Sequence, residues 1–407
     1  MKKILTRRNF LIAGGTASLT AVIYATQRGV RFPNLNFEPA AMEADVKHNN
    51  IQVSGHQIIR TKRTLNDHLS FRAVAPEPTL LLSAKETSSV VIDVGNIAQD
   101  AILHNSNANI SEQRNGINRK LKIDMQRGQS IELSWKLDNL KEYSFASIGD
   151  TGGNHELAWC IQRAHDLGAR FLLHLGDFNY QQGDYQRSIN LFDQAPLPCY
   201  VSIGNHDFHD NGLIYQQFLN EIGPFNNSFA IGKTRYANID TAASFLPYSS
   251  GKRGQLFKEM GDDSTNYTHT VAFTHKPLHD PAGDSDHDIG SIGERDWLIG
   301  ALKSVNTSSL LSGHIHIYNR QTFKGIDNII VGQGLGHQDI LTNNDISKMA
   351  IGQVDRDGSV TYKFANLAMP MEMHCHPRSN VVKESLIESG LNIDLINSIN
   401  AACSKSL

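Results

Sequence analysis

Five short polar clusters, each directly after an apolar strand-like run, constrain this chain more than any other feature. In order they are Ser147-Ile148-Gly149-Asp150-Thr151-Gly152, His174-Leu175-Gly176-Asp177-Phe178-Asn179-Tyr180, Ser202-Ile203-Gly204-Asn205-His206-Asp207, Phe273-Thr274-His275-Lys276-Pro277 and Ser312-Gly313-His314-Ile315-His316-Ile317-Tyr318. Glycine lets a chain turn sharply and brings backbone close to a ligand. Each cluster alone is common: Gly-Asp is usually a turn. Five in order, each at a strand end, are not explained by turn chemistry.

Their residue types narrow the chemistry. Asp, Asn, His and Tyr offer hard oxygen and imidazole nitrogen donors, and none of the chain's 4 Cys lies among them. That argues against a structural thiolate zinc site. In His314-Ile315-His316 an extended backbone would point both rings to one face. Such a set suits two adjacent metals, which roughly 3.5–4 Å apart can hold a phosphoryl oxygen and activate water. With 18 His in 407 residues and a net charge of −3, the chain has metal-binding capacity but no basic footprint for nucleic acid.

Around the clusters the pattern alternates. Strands are expected at Tyr143–Ile148, Phe171–Leu175, Tyr200–Ile203, Thr270–Thr274, Ser309–Ser312, Asn328–Val331, Ile351–Val354 and Ser359–Phe364. Helices are expected at His155–Leu167, Gly212–Glu221 and Glu294–Lys303. This is an α/β domain, taken as residues 141–370, and such sheets bind ligands beyond the carboxyl ends of their strands. Before it, residues 76–140 read as a small β-sandwich-like domain of short alternating strands, with the Asn- and Ser-rich Asn105–Arg119 as a loop. Residues 26–75 read as a linker or extension holding some early strands. Residues 371–407 read as a tail with a helix whose apolar face carries Leu386, Leu391, Leu395 and Ile399.

The N-terminus sets a compartment. Lys2, Lys3, Arg7 and Arg8 precede an apolar stretch from Phe10 to Ala25, too short to span a bilayer. Thr6-Arg7-Arg8-Asn9-Phe10-Leu11 resembles the twin-arginine export motif. Residues 1–25 are therefore expected to engage the twin-arginine export machinery and to be cleaved near Ala25. The expected product is periplasmic or secreted, without stable membrane insertion. Cys160, Cys199, Cys375 and Cys403 form no CxxC and read as buried or loosely paired thiols.

The ordered clusters from Tyr143 to Leu367 resemble the calcineurin-like metallophosphoesterase superfamily, and within it the purple acid phosphatase branch. The wider superfamily commonly has His two residues after the first Asp, where this chain has Gly152. The branch instead uses a Tyr three after the bridging Asp, matched by Tyr180; Tyr318 and Arg320 also resemble the stretch after its His-x-His. Ala272 stands where the branch favours Val, and His275–His287 matches no substrate-binding pattern. The resemblance implies a four-layer α/β/β/α sandwich preceded by a small all-β domain.

It also implies a ligand set. One metal would be held by Asp150, Asp177, Tyr180 and His316, the other by Asp177, Asn205, His275 and His314. Phenolate and carboxylates imply Fe(III) with Fe, Zn or Mn. The implied reaction is hydrolysis of a small phosphate monoester by a metal-bound hydroxide. His206 would act as proton donor or phosphate partner, Asp207 as its orienter, and His279 as a second acid. Lys276, His287 and His337 are further candidates to touch substrate, whereas His374-Cys375-His376 lies past the domain. Two alternatives stand beside this reading. One is a phosphodiesterase on nucleotides or lipid head groups. The other is a non-catalytic module binding a phosphorylated or cell-wall ligand.

Overall fold

The computed structural model describes residues 40–62, 68–105, 109–137, 142–208, 215–243, 246–281, 287, 289–335 and 347–367. The expected export signal, the C-terminal helix, His337 and His374-Cys375-His376 lie outside these residues. Among the described residues no helix is long and apolar enough to cross a membrane.

Among the described residues, ten strands build the first domain: β1 (Val46–His48), β2 (Ile51–His56), β3 (Ile58–Arg60), β4 (His68–Ala73), β5 (Thr79–Ala84), β6 (Ser88–Gly95), β7 (Ile102–Asn105), β8 (Asn109–Asn115), β9 (Asn118–Met125) and β10 (Ser130–Lys136). They form two five-stranded sheets, ordered β1-β2-β5-β10-β7 and β3-β4-β6-β9-β8. Alternation drives the packing: Leu121, Ile123 and Met125 of β9 turn inward against Leu80, Leu82, Ile92 and Trp135. Two expectations change. The stretch 26–75 contributes β1 to β4, so the domain begins before residue 76; β2 is needed to pair with β5. The Asn-rich Asn105–Arg119 stretch contains β8, which pairs with β9 from Asn109↔Asp124 to Asn115↔Asn118. It is an edge strand and mostly exposed, so its sequence carries little apolar alternation.

The second domain continues with β11 (Tyr143–Ile148), α1 (His155–Asp166), β12 (Leu172–His174), α2 (Asp184–Gln194), β13 (Cys199–Val201), α3 (Tyr215–Glu221), β14 (Asn227–Ile231), β15 (Thr234–Asn238), α4 (Lys252–Asp262), β16 (His269–Phe273), α5 (Ile292–Ser304), β17 (Thr307–Ser312), β18 (Tyr318–Phe323), β19 (Ile326–Val331), β20 (Lys348–Val354) and β21 (Val360–Asn366). One sheet runs β13-β12-β11-β20-β21, the other β14-β15-β16-β17-β19-β18. Residue parity explains the layers. On β16, Val271 and Phe273 face the inter-sheet core with Phe145 and Tyr236. Ala272 faces the opposite way, against Leu256 of α4 and Leu298 and Leu302 of α5. Helices α1 and α2 pack Leu157, Ile161, Ile189 and Phe192 on the other sheet. This is the α/β/β/α sandwich. Tyr318, Tyr362 and Phe364 close the lateral edge of the inter-sheet core, with the Arg320 guanidinium over the Tyr362 and Phe364 rings.

The two domains meet at β13, an edge strand of its sheet. Asn96 accepts from the Cys199 amide (2.8 Å) and donates to the Cys199 carbonyl (3.1 Å), as a neighbouring strand would. Arg72 pairs with Asp193 at 2.7 Å. The first domain thus covers the free edge of the strand that leads into Gly204-Asn205-His206. Cys160 and Cys199 are buried free thiols.

Candidate metal centre

Parallel pairing puts the carboxyl ends of β11, β12 and β13 at one edge of the first sheet, and those of β16 and β17 at one edge of the second. All five clusters emerge there. Asp150, Asp177 and His314 each sit at positive φ (61°, 57° and 68°), the left-handed region that non-glycine residues seldom adopt. Three such residues at one site mark a backbone held in shape by its surroundings. Glycines make that shape possible. A Cβ on Gly204 or on Gly313 would run into the Asp177 or Asp150 carboxylate respectively.

Two donor groups result, and one oxygen belongs to both. The Tyr180 hydroxyl lies 3.4 Å from Asp150 Oδ1, 3.2 Å from Asp177 Oδ2 and 3.2 Å from His316 Nε2. His275 Nε2 lies 2.8 Å from Asn205 Oδ1 and 3.4 Å from the same Asp177 Oδ2. The donor atoms of Asp177, His275 and His314 all lie within 4.8 Å of one another. The structure therefore brings Asp150, Asp177, Tyr180, Asn205, His275, His314 and His316 together, with Asp177 between the two groups. At Gly152 a Cβ would meet the Tyr180 ring at 3.5 Å, so the tyrosine occupies the space beside that position.

The electrostatics fit cations. Asp150 is fully buried and Asp177 is 2% exposed. Burial pushes the Asp150 carboxyl up. Burial also acts on Asp177, but the His275 imidazole outweighs it and holds this carboxyl below the usual range. In turn Asp177 raises His275 to about 9 against the imidazole's own burial. Burial, then His275, lowers His314 to about 2, so its imidazole is neutral, and its buried Nε2 has no hydrogen-bond partner. A neutral imidazole nitrogen beside the buried Asp177 carboxylate is suited to donate to a metal ion. Burial and the two carboxylates raise the Tyr180 phenol, so only a strongly charged cation would make it a phenolate.

The remaining sequence candidates divide. His206 is exposed; its amide donates to Asp177 Oδ1 (2.9 Å) and its ring lies 4.5 Å from the Tyr180 ring. Asp207 does not orient His206 through its carboxylate. It is fully buried and accepts from the amides of Asp177 (2.9 Å), Phe178 (3.0 Å) and Gly204 (2.8 Å), locking the two ligand turns together. His279 turns away from the donors. Its ring stacks on Phe323 at 4.8 Å, and Phe323 pairs with Ile326 at the opposite end of β18 from Tyr318. At about 3.3 Å per residue that end is roughly 16 Å along the strand. His287 takes the place expected of His279: its ring is 5.6 Å from that of His314, and its Nδ1 is 3.1 Å from buried Asp280. Lys276 is half-buried, and its amide donates to Thr241 Oγ1 at 2.7 Å.

Several supporting residues escaped sequence reasoning. Asn179 donates to the His206 carbonyl at 3.0 Å. Asp184 accepts from the amides of Tyr180 (3.0 Å) and Gln181 (2.9 Å) and pairs with Arg187. Buried His174 bridges Thr151 Oγ1 (2.9 Å) and the Gly176 amide (3.3 Å); burial lowers it to about 3, keeping it neutral. Asn and Asp two to four residues past a ligand turn are the signal that was available for the first two.

Glu156, on the first turn of α1, is 7% exposed and lies 3.2 Å from His155. Burial, then Asp184, raises it from 4.5 to about 7, worth up to about 3 kcal/mol. The folded state binds this proton more tightly than the unfolded chain. Its stabilising contribution is thus complete below about pH 4.5 and is lost as pH rises through about 7. Glu156→Gln is expected to be more stable than the parent at pH 8, by up to about 3 kcal/mol, with the difference shrinking at pH 5. Urea melts at the two pH values check this.

Residues 143–318 match the family model of the calcineurin-like phosphoesterases. The chain carries a calcineurin-like phosphoesterase domain. That family is one of metal-dependent phosphoester hydrolases with a dinuclear metal centre. Among solved structures the chain is similar to a purple acid phosphatase from yellow lupin seeds, at 13% identity over 72% of this chain and 70% of that one, TM-score 0.45. It is also similar to a dimetal phosphatase from Danio rerio, at 14% identity over 56% of this chain and 99% of that one, TM-score 0.39. A third is an anchor protein of the inner membrane complex of Plasmodium, at 16% identity over 57% of this chain and 87% of that one, TM-score 0.43. No curated protein sequence matches the chain significantly. The phosphoesterase domain spans all seven candidate ligands.

Proposed function

We propose that this chain is an exported phosphomonoesterase of the purple acid phosphatase type. The observation that carries the reading is the Tyr180 hydroxyl, within 3.4 Å of donor atoms of Asp150, Asp177 and His316, beside Gly152. An oxygen-rich group with a phenol favours a trivalent ion, and the Asn205, His275 and His314 group favours a divalent one. Fe(III) with Fe, Zn or Mn is the proposed pair. When bound, the metals would activate water and polarise the phosphoryl oxygens.

The chain's own residues do the rest. Asp207 and Asn179 fix the turn that presents His206, so its ring stands at the mouth beside Tyr180. There it is placed to donate to a phosphoryl oxygen or the leaving group. His287 uses Nδ1 on Asp280, which leaves Nε2 for substrate. The phosphorylated substrate would lie between these two imidazoles. Export follows from the twin-arginine pattern at Arg7-Arg8, and a reporter fused to residues 1–25 tests it by loss of export in Arg7→Lys/Arg8→Lys.

Rates on a nitrophenyl phosphate and on its bis ester, with and without chelator, test the reaction. Chelator-sensitive turnover favouring the monoester is expected. Preference for the bis ester would replace the reading with a diesterase, and no metal-dependent turnover of either with a binding module. For a poor leaving group, His206→Ala and His287→Ala are each expected to lower kcat by about 10²-fold or more, and His279→Ala to leave it unchanged. Full activity of both His206→Ala and His287→Ala would remove the proton-donor assignment.

A further inference from the structure

A cavity of about 620 Å³ lies away from the seven ligands, where the outward face of the sheet β3-β4-β6-β9-β8 meets the phosphoesterase domain. That volume is in the ~300–1,000 Å³ range of pockets that enclose small organic ligands. Its floor is a row in strict register. Ser70 pairs with Asp93, Asp93 with Lys120, and Lys120 with Gln113. Parity turns all four outward, because Leu69, Ile92 and Leu121 beside them fill the sandwich core. The next row places Gly95 near Asn118, which pairs with Asn115. Gly95 leaves room for the Asn118 amide, whose Oδ1 a Cβ there would approach to 3.1 Å. Asp193 and Glu221 of the second domain form the wall.

The floor is polar without a net field. Asp93 stands directly opposite Lys120 on the neighbouring strand, and its Oδ2 lies 3.3 Å from His68 Nδ1. The other cations are engaged: Arg72 by Asp193 (2.7 Å), Arg114 by Glu112 (2.7 Å), and Arg119 by the carbonyls of Gly116 and Ala98 (2.7 Å each). An anion would have to break these pairs. An apolar ligand would leave the carboxylates and amides unpaired, at a cost of roughly 1–3 kcal/mol each. A polyhydroxyl ligand meets neither penalty, since each hydroxyl both donates and accepts. Strands lie about 4.8 Å apart, so the four-residue row spans about 14 Å, enough for an extended chain of sugar rings.

We propose that this trough binds a short neutral oligosaccharide, held by Asp93, Lys120, Gln113 and Asn115. The site shares no residue with the metal centre, so it stands or falls independently of the phosphatase reading. Isothermal titration calorimetry of the whole protein with maltotriose, cellotriose and triacetylchitotriose tests it, with inorganic phosphate as the anionic probe. The expected result is saturable binding of at least one trisaccharide with Kd at or below about 1 mM. Asp93→Ala and Lys120→Met should each weaken that binding about tenfold or more, with unchanged melting temperature and unchanged nitrophenyl phosphate turnover. Absence of saturable heat with all three trisaccharides would overturn the proposal. So would equal binding to both variants, or phosphate binding that Lys120→Met abolishes while no trisaccharide binds.

Discussion

Asp177→Ala is expected to empty the metal centre of both ions, not one, and to lower phosphomonoester turnover by about 10⁴-fold or more, equivalent to over 5 kcal/mol of transition-state stabilisation. Asp177 Oδ2 is the one atom shared by the Tyr180 and His275 groups. Its other oxygen holds the His206 amide. One truncation therefore removes a donor from each ion and loosens the turn carrying a catalytic candidate. Bound metal stabilises only the folded state. The melting curve of Asp177→Ala should therefore coincide with or without chelator, whereas the parent should melt lower once chelated. Metal analysis returning one ion per chain in Asp177→Ala would show that Asp177 serves a single site.

Gly204→Ala is expected to empty the same centre through shape alone. The new Cβ would collide with the Asp177 carboxylate and with the Asp177 amide nitrogen, and a backbone atom cannot swing aside. Gly204 is not at positive φ, so conformational strain does not contribute. Loss of both metals and at least about a hundredfold loss of activity should follow. Gly261→Ala is the control. It lies in α4, where a new methyl would meet no neighbouring atom within 4 Å, and should be neutral or up to about 1 kcal/mol stabilising. Retained metal in Gly204→Ala would mean that the turn after β13 can shift without disturbing Asp177.

The ligand turns were legible because metal ligation imposes residue type, order and place at once. Asp150, Asp177 and His314 need glycine neighbours and strand ends, and those are local signals. What was not legible is direction. Asp207 follows His206 in sequence, which suggests a pair, but the tight turn sends its carboxylate to three backbone amides instead. His279 is nearer to His275 in sequence than His287 is, yet the loop carries it onto Phe323. Loop paths are set by packing of Leu278 and Ile289 under α5, which no spacing rule reports.

In the fold, alternating strands such as β9 and β10 were readable because one face is buried. Strand β8 carries a single apolar residue, Ile110, and β15 is buried along its whole length, so neither shows a period of two. Helix α4 carries Gly254 and Gly261, which weaken its helical signal; packing of Leu256, Phe257 and Met260 holds it.

The most direct test is metal content read together with the visible spectrum of the protein purified, loaded with iron and oxidised. Two metal ions per chain and an absorption band from tyrosinate bound to Fe(III), lost in Tyr180→Phe, are predicted. A protein that takes up iron at two ions per chain yet stays colourless would contradict the Tyr180 assignment. One that binds fewer than two ions would contradict the dinuclear centre itself.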